Sequence, residues 1–105
     1  INNDTITGYG GNDNINGSGA NDTIYGDVSY YSLSIAGADN IFGESGNDLI
    51  VGGNGNDYLS GGTGDDDIYG GYVNENSYAT DTLIGGDGSD LLIGNTGNNN
   101  FDGGA

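Results

Sequence analysis

Hydrophobic residues recur every nine positions along most of this chain, each in the centre of a short segment that follows a glycine-rich stretch. In an extended strand, successive side chains point to opposite faces, so a three-residue x-U-x segment sends its central hydrophobic residue, U, to one face. The pattern therefore predicts a series of very short strands that each bury one side chain. The U positions are Ile6, Ile15, Ile24, Ile41, Ile50, Leu59, Ile68, Leu83, Leu92 and Phe101.

The residues between these hydrophobic positions repeat as well. In GESGNDLIVGGNGNDYLSGGTGDDDIYGG, residues 43–71, Asp48, Asp57 and Asp66 each follow a glycine by two positions and precede an aliphatic residue by two. The glycines permit positive φ and a tight turn before each strand. The full unit reads G-G-x-G-x-D-x-U-x, and units begin at Gly8, Gly17, Gly26, Gly43, Gly52, Gly61, Gly70, Gly85 and Gly94.

Two insertions interrupt this period. The unit at Gly26 is lengthened by eight residues (28–35, VSYYSLSI), and the unit at Gly70 by six, around residues 72–78 (YVNENSY). Tyrosine is enriched where proteins or sugars are gripped. We therefore expect the insertions either to pack on each other and cover their edge, or to offer a surface for self-association or glycan contact. Their tyrosines are Tyr30, Tyr31, Tyr72 and Tyr78.

Composition narrows the classes of function. The chain has 105 residues, enough for one small domain, with 24 glycines, no proline and no cysteine. Its 16 acidic residues face no lysine, arginine or histidine, which gives a formal charge of −16. A surface without basic residues excludes nucleic acid as a partner and disfavours an anionic membrane, and no stretch approaches the roughly 18 apolar residues of a membrane span. The absence of cysteine excludes disulfides and thiolate metal sites.

Such a charge calls for a cation from outside the chain. One aliphatic residue in nine is too little burial to offset the entropy of ordering a glycine-rich chain, and stacked acids repel one another. The donors present are carboxylates and turn carbonyls, all oxygen, which suits Ca²⁺ and excludes soft metals. Mg²⁺ fits less well because it demands tighter octahedral geometry and keeps its water. The pattern of an EF-hand loop is absent.

The repeat G-G-x-G-x-D-x-U-x resembles the RTX, or haemolysin-type calcium-binding, nonapeptide repeat, and the resemblance covers essentially every residue outside the two insertions. It implies an all-β fold: a right-handed parallel β-roll with two units per coil and about five coils, whose two insertions lie on one edge. The resemblance also implies Ca²⁺ as the cofactor, with about six or seven ions held between turns that stack one coil apart.

The resemblance further implies the calcium ligands. The earlier of two stacked turns gives the carbonyls of its second and fourth residues and its sixth-position aspartate, and the later turn gives its first and third carbonyls and its own aspartate. The sixth-position aspartates are Asp4, Asp13, Asp22, Asp39, Asp48, Asp57, Asp66, Asp81 and Asp90. On one edge the implied carbonyls are those of Ser18, Ala20, Gly43 and Ser45, then of Glu44, Gly46, Gly61 and Thr63, then of Gly62, Gly64, Gly85 and Asp87. On the other edge they are those of Asp27, Gly37, Gly52 and Asn54, then of Gly53, Gly55 and Gly70.

Three positions depart from the pattern. Asn99 replaces the sixth-position acid and lacks the charge to anchor an ion well. Ala20 and Ala79 replace the fourth-position glycine, where positive φ is expected, so we expect their turns to be weaker.

Two hypotheses of function follow. The first is a calcium-dependent structural module of a secreted or surface bacterial protein, since proteins with such repeats include toxins, proteases, lipases, surface-layer proteins and adhesins, often exported unfolded by type I secretion. The second is a recognition or assembly module, acting through surface-layer or filament contacts or polysaccharide binding, with ice binding less favoured. Catalysis is not expected, because serine or threonine nucleophiles would lack a base. The chain carries no signal peptide and opens partway through a repeat, so we expect residues 1–105 to be one domain of a longer protein.

Overall fold

The structure, a computed structural model, describes residues 2–27, 37–71, 79–94, 97 and 99–105. These residues form short β-strands and no helix, so they include no helix that could span a membrane. In chain order the strands are β1 Thr5–Thr7, β2 Asn14–Asn16, β3 Thr23–Tyr25, β4 Asn40–Ser45, β5 Leu49–Val51, β6 Tyr58–Thr63, β7 Asp67–Tyr69, β8 Thr82–Asp87, β9 Leu91–Ile93 and β10 Asn100–Asp102.

The strands alternate between two parallel sheets. One sheet has the order β1-β3-β5-β7-β9 and the other the order β10-β8-β6-β4-β2, so each strand pairs with the strand two places later in the chain. The chain therefore winds as a β-solenoid with two strands in each turn, and the path from β1 to β9, the first and last strands of one sheet, covers four turns. The predicted all-β roll with two nonapeptide units per coil is confirmed.

A column of aliphatic side chains fills the space between the two sheets. Strand pairing places each U residue opposite the U residue of the next coil, as in Ile24 opposite Ile50. The central U residues are buried, and Ile6 and Leu92 pack against them while partly exposed. Phe101 departs from the prediction of burial: it is 55% exposed, and it lies in β10, the last of the described strands.

The stacked turns form two edges. The regular edge consists of the turns that begin at Gly17, Gly43, Gly61 and Gly85, and the insertion edge of those that begin at Gly8, Gly26, Gly52, Gly70 and Gly94. On the regular edge, β4, β6 and β8 span six residues rather than the predicted three and run on into the turns. The reason is that turn residues there pair between coils, Glu44 with Gly62 and Ser45 with Thr63.

Both insertions leave the insertion edge, as predicted. The backbone N–H of Asp27 donates to the Gly52 carbonyl at 3.0 Å, and that of Gly53 to the Gly70 carbonyl at 3.1 Å. The turn at Gly52 therefore lies between the two lengthened turns. Residues 28–36 and 72–78, with their tyrosines, lie outside the described residues, so contact between the loops and a partner surface on them stay predictions.

Candidate metal centre

A ladder of sixth-position aspartates runs along each edge. The backbone N–H of one aspartate donates to Oδ1 of the aspartate one coil later, at 2.8 Å from Asp48 to Asp66 and at 3.0 Å from Asp39 to Asp57. The structure thus brings the predicted aspartates together in two columns. The regular-edge ladder is Asp4, Asp22, Asp48, Asp66 and Asp90. The insertion-edge ladder is Asp13, Asp39, Asp57, Asp81 and Asn99.

The second carboxylate oxygen of most ladder aspartates is buried and accepts no hydrogen bond. This oxygen is Oδ2 of Asp13, Asp22, Asp39, Asp48, Asp57, Asp66 and Asp90. A buried carboxylate is costly unless it is paired or neutralised, and the chain has no lysine, arginine or histidine to do so. These oxygens therefore fit a cation that is taken up from solution.

Each of these oxygens except that of Asp90 shares a small space with a carbonyl of the following coil. A Cβ on Gly17 would lie 2.6 Å from Asp22 Oδ2 and 3.0 Å from the Gly43 carbonyl oxygen. The first position is thus glycine because of close approach, and two oxygens converge on the intercoil gap, the space between two turns stacked one coil apart. The same arrangement recurs at Gly8, Gly26, Gly43, Gly52, Gly61 and Gly70.

Second- and fourth-position carbonyls face the following coil. On the regular edge the Glu44 carbonyl faces Gly62 and the Gly46 carbonyl faces Gly64, so closely that a Cβ on either facing glycine would clash. Positive φ accompanies this orientation even where the residue is not glycine. Among the non-glycine residues described, it occurs at Tyr9, Ser18, Ala20 and Glu44, with φ of 78°, 79°, 82° and 80°. Ala20 therefore adopts the positive φ that its position predicted, at the steric cost of its Cβ.

Third-position carbonyls point back toward the preceding coil and accept hydrogen bonds there. The Thr63 carbonyl accepts the N–H of Gly46 at 2.9 Å, and the Asn54 carbonyl accepts that of Gly37 at 3.1 Å. A carbonyl oxygen has two lone pairs, so each can take a second partner. Within the described ranges, no three carboxylates gather closely enough to hold an ion by side chains alone. Ion binding at these gaps therefore needs main-chain oxygens as well, and the individual ligands stay predictions.

The two ends of the ladders differ from their middle. Asn99 keeps the hydrogen bond, since its Oδ1 accepts the N–H of Asp81 at 2.9 Å, but its Nδ2 faces Gly94, where other turns place a carboxylate oxygen. A donor amide at that point opposes a cation, in line with the weak anchor expected of this residue. At the opposite end, Asp4 is exposed, and its backbone N–H donates to Asp22 Oδ1 at 2.8 Å.

A second ladder, made by fifth-position side chains, was not predicted. The N–H of Asn47 donates to Oδ1 of Asn21 at 2.8 Å, and the N–H of Asp65 donates to Oδ1 of Asn47 at 2.9 Å. Here the acceptor belongs to the earlier coil, so this ladder runs opposite to the aspartate ladder and fixes the backbone beside it. In the sequence, this ladder corresponds to an asparagine or aspartate that recurs just before the sixth-position acid of the unit, at Asn12, Asn21, Asn47, Asn56 and Asp65.

Burial raises the pKa of several ladder carboxyls. The pKa of Asp57 rises to about 8 and that of Asp66 to about 6, with burial as the largest cause and neighbouring aspartates as a further one. Burial also raises the pKa of Asp39, Asp48 and Asp81. Without a cation, the folded chain holds protons that the unfolded chain has released, so protons and cations compete for the same oxygens.

We expect acid to favour the folded chain when calcium is absent. A carboxyl with a raised folded pKa stabilises the fold below its unfolded value of 3.8, and that contribution is lost as the pH rises through the folded value. The loss therefore runs from the unfolded value of 3.8 up to about pH 6 for Asp66 and up to about pH 8 for Asp57. Circular dichroism of the chain after passage over a chelating resin should therefore show more β-structure at about pH 5 than at about pH 9.

With calcium present the sign reverses, because protons then occupy the ligands. The calcium concentration at the folding midpoint should rise as the pH falls toward the unfolded value of 3.8, because the unfolded chain then holds protons that calcium must displace. A β signal that is independent of pH in the resin-treated chain contradicts the expected competition.

A family model for the RTX calcium-binding nonapeptide repeat (4 copies) matches residues 1–28, 35–68 and 77–105. The unmatched residues, 29–34 and 69–76, fall mainly in the two insertions. No curated protein and no solved structure matches the chain.

Proposed function

The chain belongs to the RTX calcium-binding nonapeptide repeat family, and from this we propose that it is a structural module that folds on binding calcium outside the cell. RTX repeats are typical of secreted bacterial proteins. The proposed setting is accordingly a secreted or surface protein, such as a toxin, an adhesin, a surface-layer protein or an enzyme that carries the module as a stalk.

The observation that carries this proposal is the column of buried, unpartnered Oδ2 atoms along both edges. Each of the ladder oxygens except that of Asp90 lies next to a main-chain carbonyl, in a chain with 16 acidic residues and no basic ones. Carboxylates and carbonyls form the oxygen-only ligand set that Ca²⁺ prefers, and Ca²⁺ tolerates the irregular geometry of a turn better than Mg²⁺ does. Binding would supply the positive charge that the fold lacks.

Coupling of folding to calcium binding would let the chain fold only where calcium is abundant. An acidic chain with one buried aliphatic side chain per repeat stays disordered where calcium is scarce, which suits passage through an export channel. Where calcium is abundant, the free energy of ion binding becomes free energy of folding. The proposed role is therefore binding and scaffolding rather than catalysis.

Calorimetric titration of the calcium-free chain tests the proposal. Seven gaps have an aspartate on both sides, one of them with the exposed Asp4, and an eighth has Asp81 opposite Asn99. We therefore expect about six or seven ions to bind, with a midpoint in the range of about 0.1–1 mM that is usual for extracellular modules. Mg²⁺ at equal concentration should bind weakly. Equal binding of both metals, or uptake of only one or two calcium ions, contradicts the proposal.

The recognition or assembly hypothesis stays a prediction, because the tyrosines of the two insertions that support it lie outside the described residues.

A further inference from the structure

Asp27 stands out among the second-position residues of the repeat. Its side chain is fully buried, with 0% of its surface exposed. Glu44 is the matching acid on the regular edge, and it is exposed, with Oε1 accepting a hydrogen bond from Asn16 Nδ2 at 3.1 Å. Two acids at the same repeat position thus have opposite surroundings, and the difference lies in the turn that the first insertion lengthens.

The backbone of Asp27 is oriented differently from that of other second-position residues. At Glu44, and at Gly62 after it, the carbonyl oxygen faces the second-position glycine of the next coil. At Asp27 the side chain does so instead: a Cβ on Gly53 would lie 2.6 Å from Asp27 Cβ and 3.1 Å from its nitrogen. Asp27 is also not among the described non-glycine residues that have positive φ. The side chain therefore occupies the side of the turn that a carbonyl occupies elsewhere.

The charges of ladder aspartates on the same edge act on the carboxyl of Asp27. The pKa of Asp27 is raised to about 6, chiefly by burial and further by the charges of Asp39 and Asp13, whereas hydrogen bonds from the backbone N–H groups of Gly37 and Asn54 lower it. Asp27 in turn raises the pKa of Asp57. Negative charge is thus concentrated at the intercoil gap between the turns that begin at Gly26 and Gly52.

Two independent features of this gap point to a cation. Asp39 and Asp57 are 1% and 3% exposed, and Oδ2 of each accepts no hydrogen bond. The Gly37 carbonyl faces Gly55, as fourth-position carbonyls do on the regular edge. This gap therefore has the sixth-position carboxylates and the fourth-position carbonyl of a regular turn. Only the second-position carbonyl is replaced, by the side chain of Asp27.

We propose that the carboxylate of Asp27 is a ligand of the calcium ion held between the turns that begin at Gly26 and Gly52, in place of the second-position carbonyl. This rests on the proposed calcium function, and it replaces the expectation that Asp27 acts through its carbonyl. Because the carboxylates here do not gather tightly enough to hold an ion by themselves, main-chain oxygens complete the site. Ligand charge tunes calcium affinity, so this site is the tightest on its edge.

Calcium titration of Asp27→Asn against the unchanged chain tests the proposal, with Glu44→Gln as the matched control on the regular edge. Both variants remove one charge at the same repeat position. In Asp27→Asn we expect one ion to bind about 10- to 100-fold more weakly, the range seen when a residue supporting a metal site is lost, and the other ions to be nearly unchanged. Glu44→Gln should titrate like the unchanged chain. Unaltered calcium binding in folded Asp27→Asn overturns the proposal. Asp27 would then be a buried acid with a structural role at the base of the first insertion.

Asp27→Gly provides a second measurement, also usable if Asp27→Asn does not fold at saturating calcium. Glycine occupies this position in other turns and lets the main-chain carbonyl face the gap, so one ion should bind more weakly than in the unchanged chain and more tightly than in Asp27→Asn. Affinities equal to those of the unchanged chain overturn the proposal. Failure of the unchanged chain to bind calcium would instead overturn the proposed function, so the two failures are distinguishable.

Discussion

Removal of calcium at about neutral pH should abolish the β-sheet signal of this chain in circular dichroism and leave an unfolded spectrum. The buried Oδ2 atoms along both edges have no partner within the chain, and no basic side chain is present to neutralise them. Burial of one aliphatic residue per nonapeptide does not offset the conformational entropy of a chain with 24 glycines. The metal-free fold therefore carries uncompensated charge that the unfolded chain leaves in water.

The experiment needs controls for the identity of the divalent cation and for ionic strength. Re-addition of Ca²⁺ should restore the signal cooperatively, whereas Mg²⁺ at the same concentration should restore little of it. Sodium chloride at equal ionic strength should also restore little, because screening acts on exposed charges more than on buried ones. A spectrum that stays β-rich in chelator at low salt would show that the fold does not need metal.

The architecture followed from the sequence because the hydrophobic pattern allows only one register. Every U residue pairs with the U residue one coil away, as in Ile41 opposite Leu59 and Ile68 opposite Leu92. A slip of one residue would turn all of these side chains to solvent. Phe101 shows the limit of the pattern, which marks a residue as core-facing but does not show whether a further coil covers it.

The sequence predicted which carboxylates line the candidate site better than it predicted how the backbone of the turns is oriented. The fixed spacing of nine placed Asp48 and Asp66 in one ladder, because two units make one coil. The fifth-position ladder was missed because asparagine in a glycine-rich turn is also expected of a simple turn residue. The orientation of Asp27 was missed because repeat position alone does not reveal that a lengthened turn exchanges a carbonyl for a side chain.

Replacement of Asp57 or Asp66 by asparagine should weaken two neighbouring ions together. Oδ1 of Asp57 accepts the N–H of Asp39 one coil earlier, while its Oδ2 shares a space with the Gly70 carbonyl one coil later. Asp66 is arranged in the same way on the regular edge, between Asp48 and the Gly85 carbonyl. Each aspartate thus faces two intercoil gaps, and loss of its charge affects both.

Asparagine is the informative substitution because it removes the charge and keeps the ladder. The native Asn99 already shows this, since its Oδ1 accepts the N–H of Asp81 at 2.9 Å. In Asp57→Asn we therefore expect two ions to bind about 10- to 100-fold more weakly, with a higher calcium midpoint for folding. In the metal-free chain, Asp57→Asn should also raise the stability of the fold at about pH 8 and above, where the native carboxyl of Asp57, with its raised pKa of about 8, is half ionised or more.

Asp102→Asn is the matched control, since it removes the same charge from an exposed residue. Asp102 lies in the end strand β10, outside the sixth position, and its Oδ1 accepts the N–H of Gly104 at 2.9 Å. Calcium titration should therefore give the same number of ions and nearly the same affinities as in the unchanged chain. If Asp102→Asn weakened binding as much as Asp66→Asn does, the ions would be held by the net charge of −16 rather than by stacked turns. Weaker calcium binding in Asp57→Asn and Asp66→Asn but not in Asp102→Asn, with two ions affected in each, is expected only if neighbouring ions share a ladder carboxylate.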